Sequence, residues 1–70
     1  MNDKKRAVIQ TVFALGSIES ARIHFEACIV TIRTLCAEGL ITQENSVIAE
    51  NQYQEMQKLL LELKEKPELI

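Results

Sequence analysis

Apolar residues recur at spacings of three and four in three stretches of the chain, and the pattern is interrupted at Gly16 and again at Gly39. A period near 3.6 residues predicts amphipathic helices rather than strands, whose side chains alternate with a period of two. The first stretch predicts a short helix over about residues 4–15, capped by Asp3, with Val8, Val12 and Leu15 on one side and Ile9 and Phe13 beside them. Gly16-Ser17 then leaves two options open. Ser17 is a good N-cap for a new helix, yet a single glycine can be absorbed into a continuous helix for about 1 kcal/mol.

The second stretch, about residues 18–38, carries a stripe of Ile18, Ala21, Phe25, Cys28, Ile32 and Leu35, widened by Ile29 and Cys36. A second apolar line, Ile23, Ala27, Val30 and Ala37, lies away from the first and leaves Glu19, Arg22, Glu26 and Arg33 as a narrow charged strip. A helix with two apolar sides belongs in the middle of an assembly. The third stretch, about residues 43–66, presents Ala49, Tyr53, Met56, Leu60 and Leu63, with Leu59 as a shoulder, and Pro67 limits its extension.

The junction Gly39-Leu40-Ile41-Thr42 explains how the two long helices connect. Glycine reaches the left-handed conformation at little cost, so Gly39 suits the position just past a helix end, with Leu40 folding back over Leu35. Thr42 suits the N-cap of the next helix, and Glu44 falls in the first turn, where the helix dipole favours a negative charge. A full capping box is missing, because the third residue after Thr42 is Asn45. So short a turn forces an antiparallel hairpin, with Tyr53 and Met56 opposite the Phe25 to Cys28 region. The first helix is expected to cover only part of the second side of helix two. The predicted fold is therefore all-α: one domain over residues 1–70, a short N-terminal helix followed by a long antiparallel hairpin, completed as a bundle by dimerisation.

Composition supports that picture. An apolar fraction of 47% with 26% charged residues is that of a folded chain, and two glycines with one proline leave little room for loops. A chain of this size buries only about 60% of the surface exposed by its unfolded form, and a partner subunit is a natural remedy. The net charge of −2 gives no overall reason to expect nucleic acid or an anionic membrane. Cys28 and Cys36 share a helix and stand about 12 Å apart at 1.5 Å per residue, too far for a disulfide. Two free, buried thiols point to a reducing cytoplasm. The apolar run after Lys4-Lys5-Arg6 is broken by Gln10 and Thr11 and lacks a clear cleavage site, which argues against a signal peptide, and no stretch is long enough to span a bilayer.

Residues able to carry chemistry are few. His24, the one histidine, has no carboxylate a turn away to orient it, and Cys28 is its nearest reactive neighbour in sequence. Cysteines on an apolar stripe usually act as small hydrophobes. The acidic residues Glu50, Glu55, Glu62, Glu65 and Glu68 read as a solvated face, with Glu55 to Lys58 and Glu62 to Lys66 at supporting spacings. The inward Glu-x-x-His pattern of metal-carboxylate bundles is absent, as are a phosphate loop and a dinucleotide fingerprint. The expectation is a protein with no catalytic residues, no cofactor and no metal. Lys4, Lys5 and Arg6 form a candidate anion-binding cluster, since three cations oppose the dipole at a helix start; the plainer reading is a solvated terminus. Tyr53 sits among Asn51, Gln52, Gln54 and Gln57, and it joins Ile23, Ala27 and Val30 as a candidate partner-binding residue.

The layout of helix, Gly-Leu-Ile-Thr turn and helix resembles small bacterial and phage helical hairpins, among them the sporulation family of small aspartyl-phosphate phosphatases. That family carries Ser-x-Glu-Leu-Asp on its second helix, where this chain has Asn51-Gln52-Tyr53-Gln54-Glu55. With neither the serine nor the aspartate in place, no phosphatase role passes to these residues. The expected function is that of a small cytoplasmic, non-enzymatic protein-binding regulator or inhibitor of a bacterium or its phage. It would act as a homo-oligomer, a dimer in the favoured form, on a protein partner. The alternative is an oligomer that binds a nucleotide or nucleic acid through the N-terminal basic cluster, with Arg22 or Arg33 extending it.

Overall fold

A computed structural model of the protein describes residues 3–66, and among them every regular element is helical: α1 (Asp3–Leu15), α2 (Ile18–Ala37) and α3 (Gln43–Glu65). Local chemistry accounts for the boundaries. The chain breaks at Gly16, whose φ of +90° lies in the left-handed region. Ser17 is then the N-cap of α2, its hydroxyl accepting from the Ser20 amide at 3.0 Å. A helix continuing through residue 16 would have cost about 1 kcal/mol for the glycine. It would also have denied α1 the reversal that brings it back onto the other helices.

The end of α2 has the two bonds of a Schellman motif. The Leu40 amide donates to the Leu35 carbonyl at 2.9 Å and the Gly39 amide to the Cys36 carbonyl at 3.0 Å, with Gly39 at φ +77°. Thr42 begins α3 by accepting from the Asn45 amide at 3.1 Å. A Cβ at Gly39 would meet nothing within 4 Å, so the cost of a side chain there is purely conformational. Gly39→Ala is therefore expected to lower stability by about 1–2 kcal/mol, the penalty of a left-handed L-residue. Gly39→Asn should lose less, because asparagine tolerates that region; urea denaturation monitored at the helical circular dichroism band measures both.

α2 and α3 pack closely, and their contacts run in opposite senses along the two helices. Arg33 meets Glu50 near the turn, Phe25 meets Tyr53 at mid-length, and Ile18 packs against the cluster that includes Leu60 and lines one cleft with Lys64 at the far end. The core comprises Val8 and Val12 of α1, Ala21 and Phe25 of α2, and Leu60 and Leu63 of α3, with Ile9, Ile18, Tyr53, Met56 and Leu59 packed against it.

Three expectations are corrected by this packing. α1 does not lie over the second apolar side of α2; it sits on the main stripe, against both α2 and α3, because Val8 and Val12 bury more surface between two helices than on one. Leu15 does not join Val8 and Val12 inside: it is exposed at the end of α1, where the chain turns at Gly16, and Phe13 is 69% exposed. The thiols of Cys28 and Cys36 are half-buried rather than buried, since they lie at the margins of the stripe where α3 no longer covers it. Ser46 is a buried polar residue of α3 that lines a cleft with Arg33, Cys36 and Ala37 of α2.

Candidate interaction surface

Burial along α2 follows the helical period. Ala21, Phe25, Ile29 and Ile32 are buried, whereas Ile23, Ala27, Val30, Thr34 and Ala37 are all exposed on the opposite side. Ile23 is 54% exposed and Val30 56%, values that in a lone chain leave a branched apolar ridge in water. Thr34 belongs to this ridge despite its hydroxyl. That hydroxyl donates back to the Val30 carbonyl at 3.0 Å, and Thr31 does the same to Ala27 at 2.9 Å, so each is satisfied by the helix backbone. No charged residue interrupts the line from Ile23 to Ala37 along its crest.

One edge of the ridge is charged. Arg22 bridges Glu19 and Glu26, with contacts of 2.7 and 2.9 Å, and Arg33 reaches Glu50 of α3 through Nε at 2.6 Å. The Arg22 guanidinium, hydrogen-bonded to Glu19, holds that carboxyl below its ordinary value; Glu19 in turn raises Arg22. Both groups are on the surface, where such pairs contribute little to stability.

The other edge falls into an open groove of about 560 Å³ lined by His24, Ala27, Cys28, Thr31, Ile32, Ala49, Gln52 and Tyr53. The groove exists because α1 covers only the half of the α2 and α3 seam remote from the turn. Lys4 at the start of α1 is already level with Glu55, and the groove begins at Tyr53. Inside it, His24 Nε2 lies 3.7 Å from Cys28 Sγ, and the Tyr53 ring packs on Phe25 with centroids 6.1 Å apart. Burial raises the Tyr53 phenol above its ordinary value, and the neighbouring Cys28 thiol adds to the shift. Among the described residues no group of three or more His, Cys, Asp and Glu side chains is placed to hold a metal ion. The thiol and the imidazole thus share an open groove whose lining residues include no carboxylate.

The structure thus places the expected partner-binding residues on two adjoining surfaces. Ile23 and Val30 are on the ridge, Tyr53 is in the groove, and Ala27 lies on their common border. The expected anion-binding residues stand elsewhere, on the first turns of α1. There Lys4 is ion-paired with Glu55, Lys5 is half-buried and Arg6 is exposed. Sequence reading missed the groove, since its walls come from residues far apart in the chain and its mouth depends on where α1 docks. No family model matches the chain, and no curated protein or solved structure matches it. Among the described residues no helix is long and apolar enough to cross a membrane.

Proposed function

We propose that this protein is a small, non-enzymatic regulator or inhibitor that acts by binding another protein, and that it does so as an oligomeric helical bundle, a homodimer in the favoured form. α2 and α3 form an antiparallel hairpin with α1 docked on it as one domain, and the hairpin supplies the binding surface. The observation that carries this reading is the uncovered apolar ridge of α2, Ile23, Ala27 and Val30, directly opposite the helix's own core side; it supplies the self-association, and the groove at Tyr53 beside it stays open to a protein partner. Tyr53 and the groove behind Ala27 add hydrogen-bonding capacity at the border of that ridge. Half-buried free thiols fit a cytoplasmic setting.

Sedimentation of the intact protein at micromolar to hundred-micromolar concentration tests this reading, together with binding of a hydrophobic dye. Association that strengthens with concentration, with dye binding that falls as it does so, is the expected result. A compact monomer throughout, with no dye binding, would sink it.

Of the cations that the nucleotide or nucleic-acid reading draws on, Lys4 is matched by Glu55, Arg22 by Glu19 and Glu26, and Arg33 by Glu50. Each pairing lowers the gain from neutralising a phosphate. No salt-sensitive binding of a single-stranded oligonucleotide is expected. If such binding appeared and was lost on replacing Lys4, Lys5 and Arg6 together by alanine, the protein-binding reading would give way.

A further inference from the structure

The exposed ridge of α2 has a spacing that selects its occupant. Ser20, Ile23, Ala27, Val30, Thr34 and Ala37 follow one another at intervals of three, four, three, four and three, the seam of a coiled coil. We propose that this ridge pairs with the same ridge of a second copy of the chain, antiparallel about a twofold axis that passes between Ala27 and Val30. This inference rests on the self-association proposed above and specifies the face, direction and register.

Two features of the ridge fit an antiparallel second copy. The first is size. About that centre, Ala27 lies against the partner's Val30 and Ile23 against the partner's Thr34, so the four central layers each set a larger residue against a smaller one, and the small Ser20 and Ala37 meet at the ends. The helices then keep an even separation, as close packing requires. A parallel pair would instead stack isoleucine on isoleucine and alanine on alanine, alternately crowding and gapping the seam.

The second is charge. A twofold axis brings like edges of the two ridges together. On the charged edge, Glu26 stands just before Ala27 and Arg33 one turn after Val30, so Glu26 faces the partner's Arg33, and the symmetry makes that contact twice. Arg33 has donors for it: only Nε is committed to Glu50, and the side chain is largely exposed. The opposite edge carries His24 and Thr31, which brings no like charges together. A parallel pair would instead leave Glu26 opposite Thr31 and pair Arg33 with the partner's Glu38, so the Glu26 to Arg33 contact is what distinguishes the antiparallel arrangement.

The test uses Glu26→Arg and Arg33→Glu, each alone and then mixed in equal amounts, with sedimentation equilibrium and native mass spectrometry as readouts and circular dichroism as the check on helix content. Each variant alone repeats a repulsive contact twice and is expected to self-associate about tenfold more weakly or worse than the parent chain. Their mixture sets opposite charges together at both contacts and is expected to form heterodimers well beyond the statistical half. Val30→Glu, at an exposed site, is expected to keep its helix content and lose the dimer. Helix content that fell with Arg33→Glu would reflect repulsion from Glu50, and repeating the series in a Glu50→Gln background removes it.

A parent dimer unaffected by Val30→Glu, or a mixture with no preference for heterodimers, would overturn this pairing while leaving self-association through another face. A parent chain that stays monomeric would remove self-association itself.

Discussion

Replacing Phe25 by alanine is expected to leave most of the protein unfolded at room temperature in the absence of stabilising partners. Phe25 is 3% exposed and belongs to the cluster that joins all three helices, with its ring against Tyr53 of α3. Phenylalanine to alanine in a core costs about 3–5 kcal/mol, through lost burial and the cavity left behind. A chain of this length has a total stability of roughly 3.5–10 kcal/mol at 0.05–0.15 kcal/mol per residue. The low end of that range applies here, because three thin helices spanning 42 × 21 × 17 Å enclose a small core. Urea unfolding followed by circular dichroism should show a midpoint shifted far toward zero denaturant. Phe25→Leu should keep most of the stability, since a residue of similar volume closes most of the cavity. A midpoint for Phe25→Ala within a few tenths molar of the parent would mean that the three helices do not share one core.

The parts of this fold that were legible in the sequence are those decided within a few residues. Gly39 and Thr42 carry their conformational preferences with them, and no distant contact is needed to stop α2 or start α3. The buried stripe of α2 was legible for the same reason, because Ala21, Phe25 and Ile32 repeat at the helical period whatever they pack against. Gly16 was legible only in part: Ser17 marked a possible new helix start, but a cost of about 1 kcal/mol for a mid-helix glycine is of the size that tertiary packing overrides. The seat of α1 on the main stripe was hidden too, as a helix with two apolar flanks can dock in more than one place. Ser46 is buried between the helices although a serine's polarity gives no hint of it. The ion pairs divide along the same line. Arg22 with Glu26 is a one-turn pair, whereas Lys4 with Glu55 and Arg33 with Glu50 join helices and become visible only with the packing.

The candidate surface divides similarly. The exposed ridge was readable as a second apolar line on α2, but its isolation from α1 was not, and that isolation turns it from a second core face into a surface available to another chain. The groove beside it also depends on where α1 docks. The ridge stays bare because α1 docks on the opposite side of α2, and the groove stays open because α1 covers one half of the seam between α2 and α3 and no more. α1 therefore governs which apolar surface the molecule presents, and its docking is held by a few side chains.

Val8→Asp tests that dependence most directly. Val8 is fully buried among Ala21, Phe25, Leu60 and Leu63, and no cation lies within that cluster. An ionised carboxylate there would be desolvated without a partner, a change that costs about 3–5 kcal/mol when a buried charge is left uncompensated. α1 is expected to detach before α2 and α3 separate, because those two helices retain contacts of their own around Ile32, Ser46 and the Arg33 to Glu50 pair. Hydrogen exchange should then show α1 amides unprotected while those of α2 and α3 near the turn stay protected. The pH dependence has a definite sign. Burial raises the introduced carboxyl above its ordinary value of about 3.9, so the docked state binds the proton more tightly than the detached one. Relative to the parent, docking should be recovered near the ordinary carboxylate value and lost as pH rises through the raised one. Val8→Asn removes the charge at similar size, and its deficit should show no such pH dependence. If α1 amides in Val8→Asp remained protected at neutral pH, α1 would have to be held by contacts other than the cluster around Val8, and control of the exposed surface could not be assigned to it.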